Sequence, residues 1–316
     1  MSHAFLDDLH RFGPDATYSI RREDARAYCA HLTASHYENF SVVTWLTPRE
    51  LRPAFAAIYS FCRWSDDLGD EVGDRDRSRV LLDWWRGELQ ALFAGIAPKH
   101  PVMIALEETI HEFAIPIDPF LDLISAFVQD QDVLEYENYD QLIDYCTRSA
   151  NPVGRLVLYL GRSFNEENAR LSDKTCTALQ LANFWQDVSR DLDMERIYLP
   201  REDRDRFGYP ESDLRAKRFT PEFASLLKFE VDRTRVLFEE GRPLIERMPR
   251  SLAVDVDLFS RGGSAILDRI ERQEYDVFKS RPRVGKFAKL ALLCRALMAR
   301  PGVPRRVATT LPAARG

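Results

Sequence analysis

Leu51-Arg-Pro-Ala-Phe55-Ala-Ala-Ile58-Tyr59-Ser-Phe-Cys62-Arg63-Trp-Ser-Asp66-Asp67-Leu-Gly-Asp70-Glu71 reads as one helix that ends in a cluster of carboxylates. Leu51, Phe55, Ile58, Tyr59 and Cys62 recur at helical spacing on one face, and Pro48 suits the first turn of a helix running to about Leu68. Asp66 and Asp70 then fall one turn apart on a common face. Roughly 120 residues on, Asn183, Asp187 and Asp191 recur every four residues and make a second polar stripe. The other faces of that segment carry Leu181, Phe184, Val188 and Leu192.

The same periodicity runs through most of the 316 residues. Helices are expected over 22–36, 48–68, 77–94, 99–113, 117–133, 139–149, 152–161, 166–193, 220–240 and 251–276, with a further one near 284–299. Breaks fall at Thr47-Pro48, Ala97-Pro98, Ile115-Pro116, Asn151-Pro152, Leu199-Pro200 and Tyr209-Pro210. Runs of alternating β-branched residues are nearly absent. The expected fold is all-α, one domain over 1–316, with a core over about 22–300 and a basic tail over 301–316. The polar, Pro- and Gly-bearing stretch 194–219 reads as a loop or flap.

Several function classes drop out. No run of 18 apolar residues is present, and Met1 to His10 carries no signal-peptide pattern, so a cytoplasmic location is expected. Five widely spaced cysteines form no CxxC pair and read as reduced thiols. No HxxH, HExxH, GxGxxG or P-loop pattern occurs. After Asp276 there is no acidic residue, yet ten Lys or Arg follow, on a chain of net charge −6. Apolar residues alternate with those charges around Leu290–Met298. That end reads either as a last helix packed on the body or as a peripheral contact on the inner membrane face. It matches no nucleic-acid-binding motif, and no such partner is expected.

Asp is a poor helix-interior residue, and four carboxylates within six positions repel one another. Hard divalent cations take oxygen ligands, and Mg²⁺ commonly takes one or two carboxylates plus phosphate oxygens and water. Two facing stripes could therefore hold cations that in turn hold a diphosphate. Spacing alone leaves a solvated helix face equally open. Asp122, Asp130 and Asp132 read as a solvated helix end, and a helper role for Asp132 near the metals is the weaker reading.

The flanks go further. Tyr59-Ser-Phe-Cys62-Arg63-Trp-Ser-Asp66-Asp67-Leu-Gly-Asp70-Glu71, together with Gln180-Leu-Ala-Asn183-Phe-Trp-Gln186-Asp187-Val-Ser-Arg-Asp191-Leu-Asp-Met-Glu-Arg196-Ile-Tyr198-Leu-Pro200, resembles the squalene/phytoene synthase family. Phe40 with Leu46-Thr-Pro48, Tyr145-Cys146 leading to Pro152-Val-Gly154, and Ile266-Leu-Asp268 leading to Tyr275-Asp276-Val-Phe278 agree, so the resemblance spans roughly 36–290. His36-Tyr-Glu-Asn39-Phe40-Ser, Ser149-Ala-Asn151-Pro152 and Asn183-Phe-Trp185-Gln186-Asp187 are most similar to the hydroxysqualene synthases of bacterial hopanoid pathways. Many family members carry Arg before the second motif's first Asp; this chain has Gln186, which is consistent with a specialised half-reaction.

The resemblance implies an isoprenoid-synthase-type helical bundle with a central cavity. It implies Mg²⁺ held by Asp66, Asp70, Asn183, Asp187 and Asp191. Arg63, Gln186, Arg196, Tyr198 and Asn151 become candidates for binding substrate, and Phe40, Tyr59, Tyr145 and Tyr275 for lining the path of a carbocation. The implied substrate is a prenyl diphosphate. A hydroxysqualene synthase converts presqualene diphosphate to hydroxysqualene with water and without NADPH. A squalene synthase would join two farnesyl diphosphates and require NADPH. A dehydrosqualene or phytoene synthase, and a non-catalytic prenyl-lipid-binding subunit, are the other readings.

Overall fold

Caps and prolines set where the helices start. The computed structural model describes residues 3–35 and 47–285. Two N-terminal helices, α1 (His3–Phe12) and α2 (Arg22–Ser35), precede α3 (Arg52–Asp70), which has Pro53 in its first turn. The next are α4 (Arg75–Phe93), α5 (Pro101–Phe113) and α6 (Asp118–Gln129). Asp74 caps α4 by accepting from Arg77 N–H at 2.7 Å. The chain continues through α7 (Tyr139–Ser149), α8 (Asn151–Leu160) and the long α9 (Glu166–Asp193). Asn138 and Asn165 cap α7 and α9, each at 2.9 Å from the N–H three residues on. Short α10 (Arg201–Arg206) and α11 (Glu211–Arg215) lead to α12 (Pro221–Gly241), α13 (Leu244–Arg247) and α14 (Arg250–Arg272).

The described residues are predominantly helical. Among the described residues the extended pairing is an isolated parallel bridge, Glu135 to Ile197. The all-α expectation therefore holds, and most helices lie where hydrophobic spacing put them. The expected helix near 284–299 and the basic tail lie outside the described residues.

Two differences have physical causes. First, α1 was not expected, yet Phe5, Leu9 and Phe12 form one buried stripe, and Phe5 meets Trp64 edge-on at 5.3 Å. Second, 194–219 is a packed segment rather than a flap. Arg204 is buried and pairs with Glu135, while Asp203 accepts from Arg233 at 2.7 Å. Tyr209 and Leu214 are buried with them, and the Tyr209 hydroxyl donates to Arg218 O at 2.8 Å. Internal ion pairs gave a packed element a polar composition.

Two apolar clusters flank the centre. In the first, Trp64 and Trp85 stack at 5.6 Å and enclose His100, whose ring lies 4.4 and 4.7 Å from theirs. Burial without a partner for its ring charge lowers the His100 pKa to about 3, so it packs there as a neutral ring. In the second cluster Trp185 is fully buried, and its Nε1 donates to Thr234 Oγ1 at 2.8 Å, fixing α9 to α12. Gly154 lets α8 approach α9, since a Cβ there would collide with Ser172 Oγ and Cys176 Sγ. Rigid packing on both sides holds the polar stripe of α9 in place.

Candidate active site

Both acidic motifs lie at the C-terminal ends of their helices, α3 and α9. The chain past α9 folds back against the chain past α6: Ile197 N–H donates to Leu134 O at 2.7 Å and Arg201 N–H to Tyr136 O at 3.0 Å. This anchor aims Arg196 across the gap, where its Nη2 donates to Asp70 Oδ1 at 2.8 Å. The two motifs thus face each other, bridged by one guanidinium. Helix C-termini carry partial negative charge, so the α3, α6 and α9 ends add to the carboxylates gathered there.

A third helix contributes a carboxylate. Asp130, just past α6, accepts from the Tyr145 hydroxyl at 2.9 Å and lies within the fields of Arg196, Asp70 and Asp66. Asp132, for which a helper role near the metals is the weaker expectation, pairs with Arg79 on the outside, and Asp122 lies near Arg155 and Arg148. The helix end had the right composition, but which of its three Asp residues turns inward depends on how α6 packs.

Burial and mutual repulsion hold these carboxyls high. Burial, then the charge of Asp70, pushes Asp66 up to about 7. Burial, then Asp187, does the same to Asp191. Burial raises Asp130 to about 6, although Arg196 opposes it. Asp67 rises to about 6 by burial and is held by Arg63, whose Nε donates at 3.0 Å. Arg63 also reaches Asp66 at 3.3 Å.

Arg281 is a site residue that sequence reasoning did not single out. Its Nε and Nη2 grip Asp187 at 2.5 and 2.8 Å, and Nη2 reaches Gln186 Oε1 at 3.2 Å. Gln186 Nε2 in turn donates to Pro282 O at 2.6 Å. Gln186 thus straps the segment after α14 over the second motif. No local pattern could reveal a contact 94 residues distant.

The aromatic candidates divide. Tyr145 is buried beneath the acidic groups, and Tyr198 stacks on Phe184 at 3.7 Å and 7°. Tyr59 lies one turn before Arg63, within the fields of Arg63, Asp67 and Asp66. Tyr275 lies elsewhere: it sits in a left-handed turn at φ 66° past α14, and Glu271, Lys228, Asp232 and Arg235 are its charged neighbours. Asn151 is buried and accepts from Thr177 Oγ1 at 2.9 Å, a contact that joins α8 to α9. Phe40 lies outside the described residues.

A cavity of about 410 Å³ begins at Asn183 and Gln180 on α9 and runs between α8, α13 and α14. Its wall is mainly apolar, with Phe55, Val153, Leu179, Met248 and Leu252 among its side chains. The arrangement is therefore an acidic cluster linked through Asn183 to an apolar chamber, suited to a ligand with a charged head and a hydrocarbon tail.

The donor set fits a hard divalent cation. It is all oxygen, and its carboxyls are raised by burial first and by neighbouring carboxylates second, so a bound cation would favour their charged form. Among the described residues no three His, Cys, Asp or Glu side chains gather around one point. They come instead as the pairs Asp66/Asp70 and Asp187/Asp191, and one or two carboxylates are what Mg²⁺ takes when phosphates and water fill its other positions.

Comparisons with known proteins find relatives along most of the chain. The squalene/phytoene synthase family model matches residues 33–288. The 15-cis-phytoene synthase of Synechocystis sp. is 33% identical over 297 residues, covering 90% of this chain and 88% of that protein. Among solved structures, squalene synthase HpnC from Alicyclobacillus acidocaldarius is 47% identical with a TM-score of 0.77, covering 80% of this chain and 95% of that one. A dehydrosqualene synthase solved with a ligand is 26% identical with a TM-score of 0.81, covering 88% and 97%.

Proposed function

Because the chain belongs to the squalene/phytoene synthase family, an enzyme family that uses divalent metal and binds prenyl diphosphates, we propose that it is a hydroxysqualene synthase. In this reading it converts presqualene diphosphate to hydroxysqualene, releasing diphosphate and capturing water. The observation that carries the reading is the meeting of the two acidic motifs through Arg196 and Asp70, with Asn183 of the second motif also lining the apolar cavity. The 47% identity to HpnC and the motif flanks favour this branch of the family.

Asp66, Asp70, Asn183, Asp187 and Asp191 would hold Mg²⁺, which when bound supplies Lewis-acid stabilisation of the charge on the departing diphosphate. Arg63, Arg196 and Arg281 orient the diphosphate, each guanidinium offering a planar fork to phosphate oxygens. In the resting arrangement these groups are paired with Asp67, Asp70 and Asp187, so substrate and cations exchange partners with them on entry. Asp130 and Tyr145 back the site from below. Aromatic faces such as Tyr198 and Phe184 attract positive charge. The apolar wall limits water around the hydrocarbon, so the cation survives long enough to rearrange.

The second reading is a phytoene or dehydrosqualene synthase, favoured by the curated relatives at 32–33% identity. Product analysis separates the readings. Purified enzyme with Mg²⁺ is given presqualene diphosphate, farnesyl diphosphate or geranylgeranyl diphosphate, each with and without NADPH. Hydroxysqualene from presqualene diphosphate alone is the expected result. Squalene formed only with NADPH, or phytoene from geranylgeranyl diphosphate, contradicts it, and tight binding without turnover indicates a non-catalytic subunit. No helix among the described residues is long and apolar enough to cross a membrane. Contact of the basic C-terminal end with a membrane surface is a separate proposal, on residues outside those described.

A further inference from the structure

Helix α14 carries two buried carboxylates two residues apart, in opposite situations. Asp257 is gripped by Arg261, whose Nε lies 2.8 Å from each carboxylate oxygen. Asp255 is 4% exposed, and neither of its oxygens has a hydrogen-bond partner. It lines the 410 Å³ cavity together with Ser149, whose Oγ is likewise buried without a partner. Buried polar groups are almost always satisfied, and an orphan carboxyl is unfavourable. Leucine or alanine would suit that wall without the penalty. The exception therefore points to a polar event inside an otherwise apolar chamber.

We propose that Asp255 is the catalytic base that ends the reaction, taking the proton released when water captures the carbocation in this cavity. The proposal rests on the water-capture reading above. In the step, a lone pair of the water oxygen forms the new C–O bond at the cationic carbon. The O–H bond of that water breaks, and its proton passes to the Asp255 carboxylate. Cation, water and carboxylate become a neutral alcohol and a neutral carboxylic acid, which returns its proton to solvent before the next turnover. The Ser149 hydroxyl offers the same water a second hydrogen-bonding group. Burial raises the Asp255 carboxyl to about 7, which suits a group that accepts and returns a proton near neutral pH.

The test is Asp255→Asn in the full chain, with Mg²⁺ and presqualene diphosphate. Diphosphate release and product composition are measured separately. Release stays within about threefold of wild type, because ionisation belongs to the acidic motifs. The hydroxysqualene share falls by at least about tenfold, and Asp255→Glu restores part of it. The Asn variant melts no lower than wild type, since it removes an unpartnered carboxyl. Hydroxysqualene at the wild-type share overturns the proposal, and the proton then goes elsewhere, for example to the departed diphosphate. A parallel fall in release, product and melting temperature also overturns it, because that marks a structural role. If the wild type makes a polyene by proton loss, the water-capture reading fails on its own. Asp255 then stands as the base for the C–H proton if Asp255→Asn lowers the polyene share about tenfold, and falls if the share is unchanged. Squalene formed only with NADPH overturns both, since hydride capture releases no proton.

Discussion

Asp187→Ala lowers kcat/KM for presqualene diphosphate by on the order of 10³, and Asp66→Ala does so by a similar factor. Each loss corresponds to about 4 kcal/mol of transition-state stabilisation. The size follows from position. Asp66 and Asp187 belong to opposite motifs, so losing either leaves one side of the gap a carboxylate short. The variants should still fold. Asp66 sits in a repulsive cluster with Asp70 and Asp67, so its removal relieves charge. Asp187 belongs to the polar stripe of α9, and its partner Arg281 is partly exposed, so losing the pair does not bury the guanidinium. Steady-state kinetics with a melting curve for each variant checks this. Turnover within about threefold of wild type in both would sink the ion-site assignment.

Divalent-ion dependence steepens as pH falls. Ion binding needs ionised carboxylates, and Asp66 and Asp191 both sit at about 7. If both lose a proton on binding, apparent Mg²⁺ affinity drops on the order of 100-fold from pH 8 to pH 6. The same shifts fix the sign of the stability effect in the absence of ions. Folded carboxyls at about 7, against an ordinary 3.8, bind protons more tightly in the fold than in the unfolded chain. Their favourable contribution is complete below about 4 and is lost as pH rises through 7. The melting temperature without divalent ions therefore falls between pH 5 and pH 8, and Mg²⁺ recovers more of it at pH 8 than at pH 6. Melting curves at several pH values, with Mg²⁺ or a chelator, test this. A Mg²⁺ shift that is the same at both pH values contradicts it.

Local signals carried much of this into the sequence. The α9 stripe is legible because Asn183, Asp187 and Asp191 repeat at the helical period while Phe184 and Val188 occupy other faces. Asn165 marks where that helix begins, and Asn138 does the same for α7. Long-range contacts were not legible. Arg281 looked like one basic residue among ten, and its grip on Asp187 exists because Gln186 anchors Pro282. Asp130 and Asp132 are equivalent by composition, and the packing of α6 against α3 and α7 separates them. Asp255 and Asp257 alternate on one helix with the same chemistry, and the presence of Arg261 four residues past one of them decides which is orphaned. The segment 194–219 looked like a loop because its charges are paired internally, which reads in sequence like solvent exposure.

In the proposed function, the facing motifs hold cations around a diphosphate. The most direct measurement is a crystal of the full chain with Mn²⁺ and a non-ionisable prenyl diphosphate analogue, with anomalous difference maps locating the metal. Peaks beside Asp66 and Asp70 and beside Asp187 and Asp191, each also contacting analogue phosphate oxygens, are the predicted result. An analogue seated with its phosphates away from these carboxylates, or held there by Arg63, Arg196 and Arg281 with no metal peak, would contradict it.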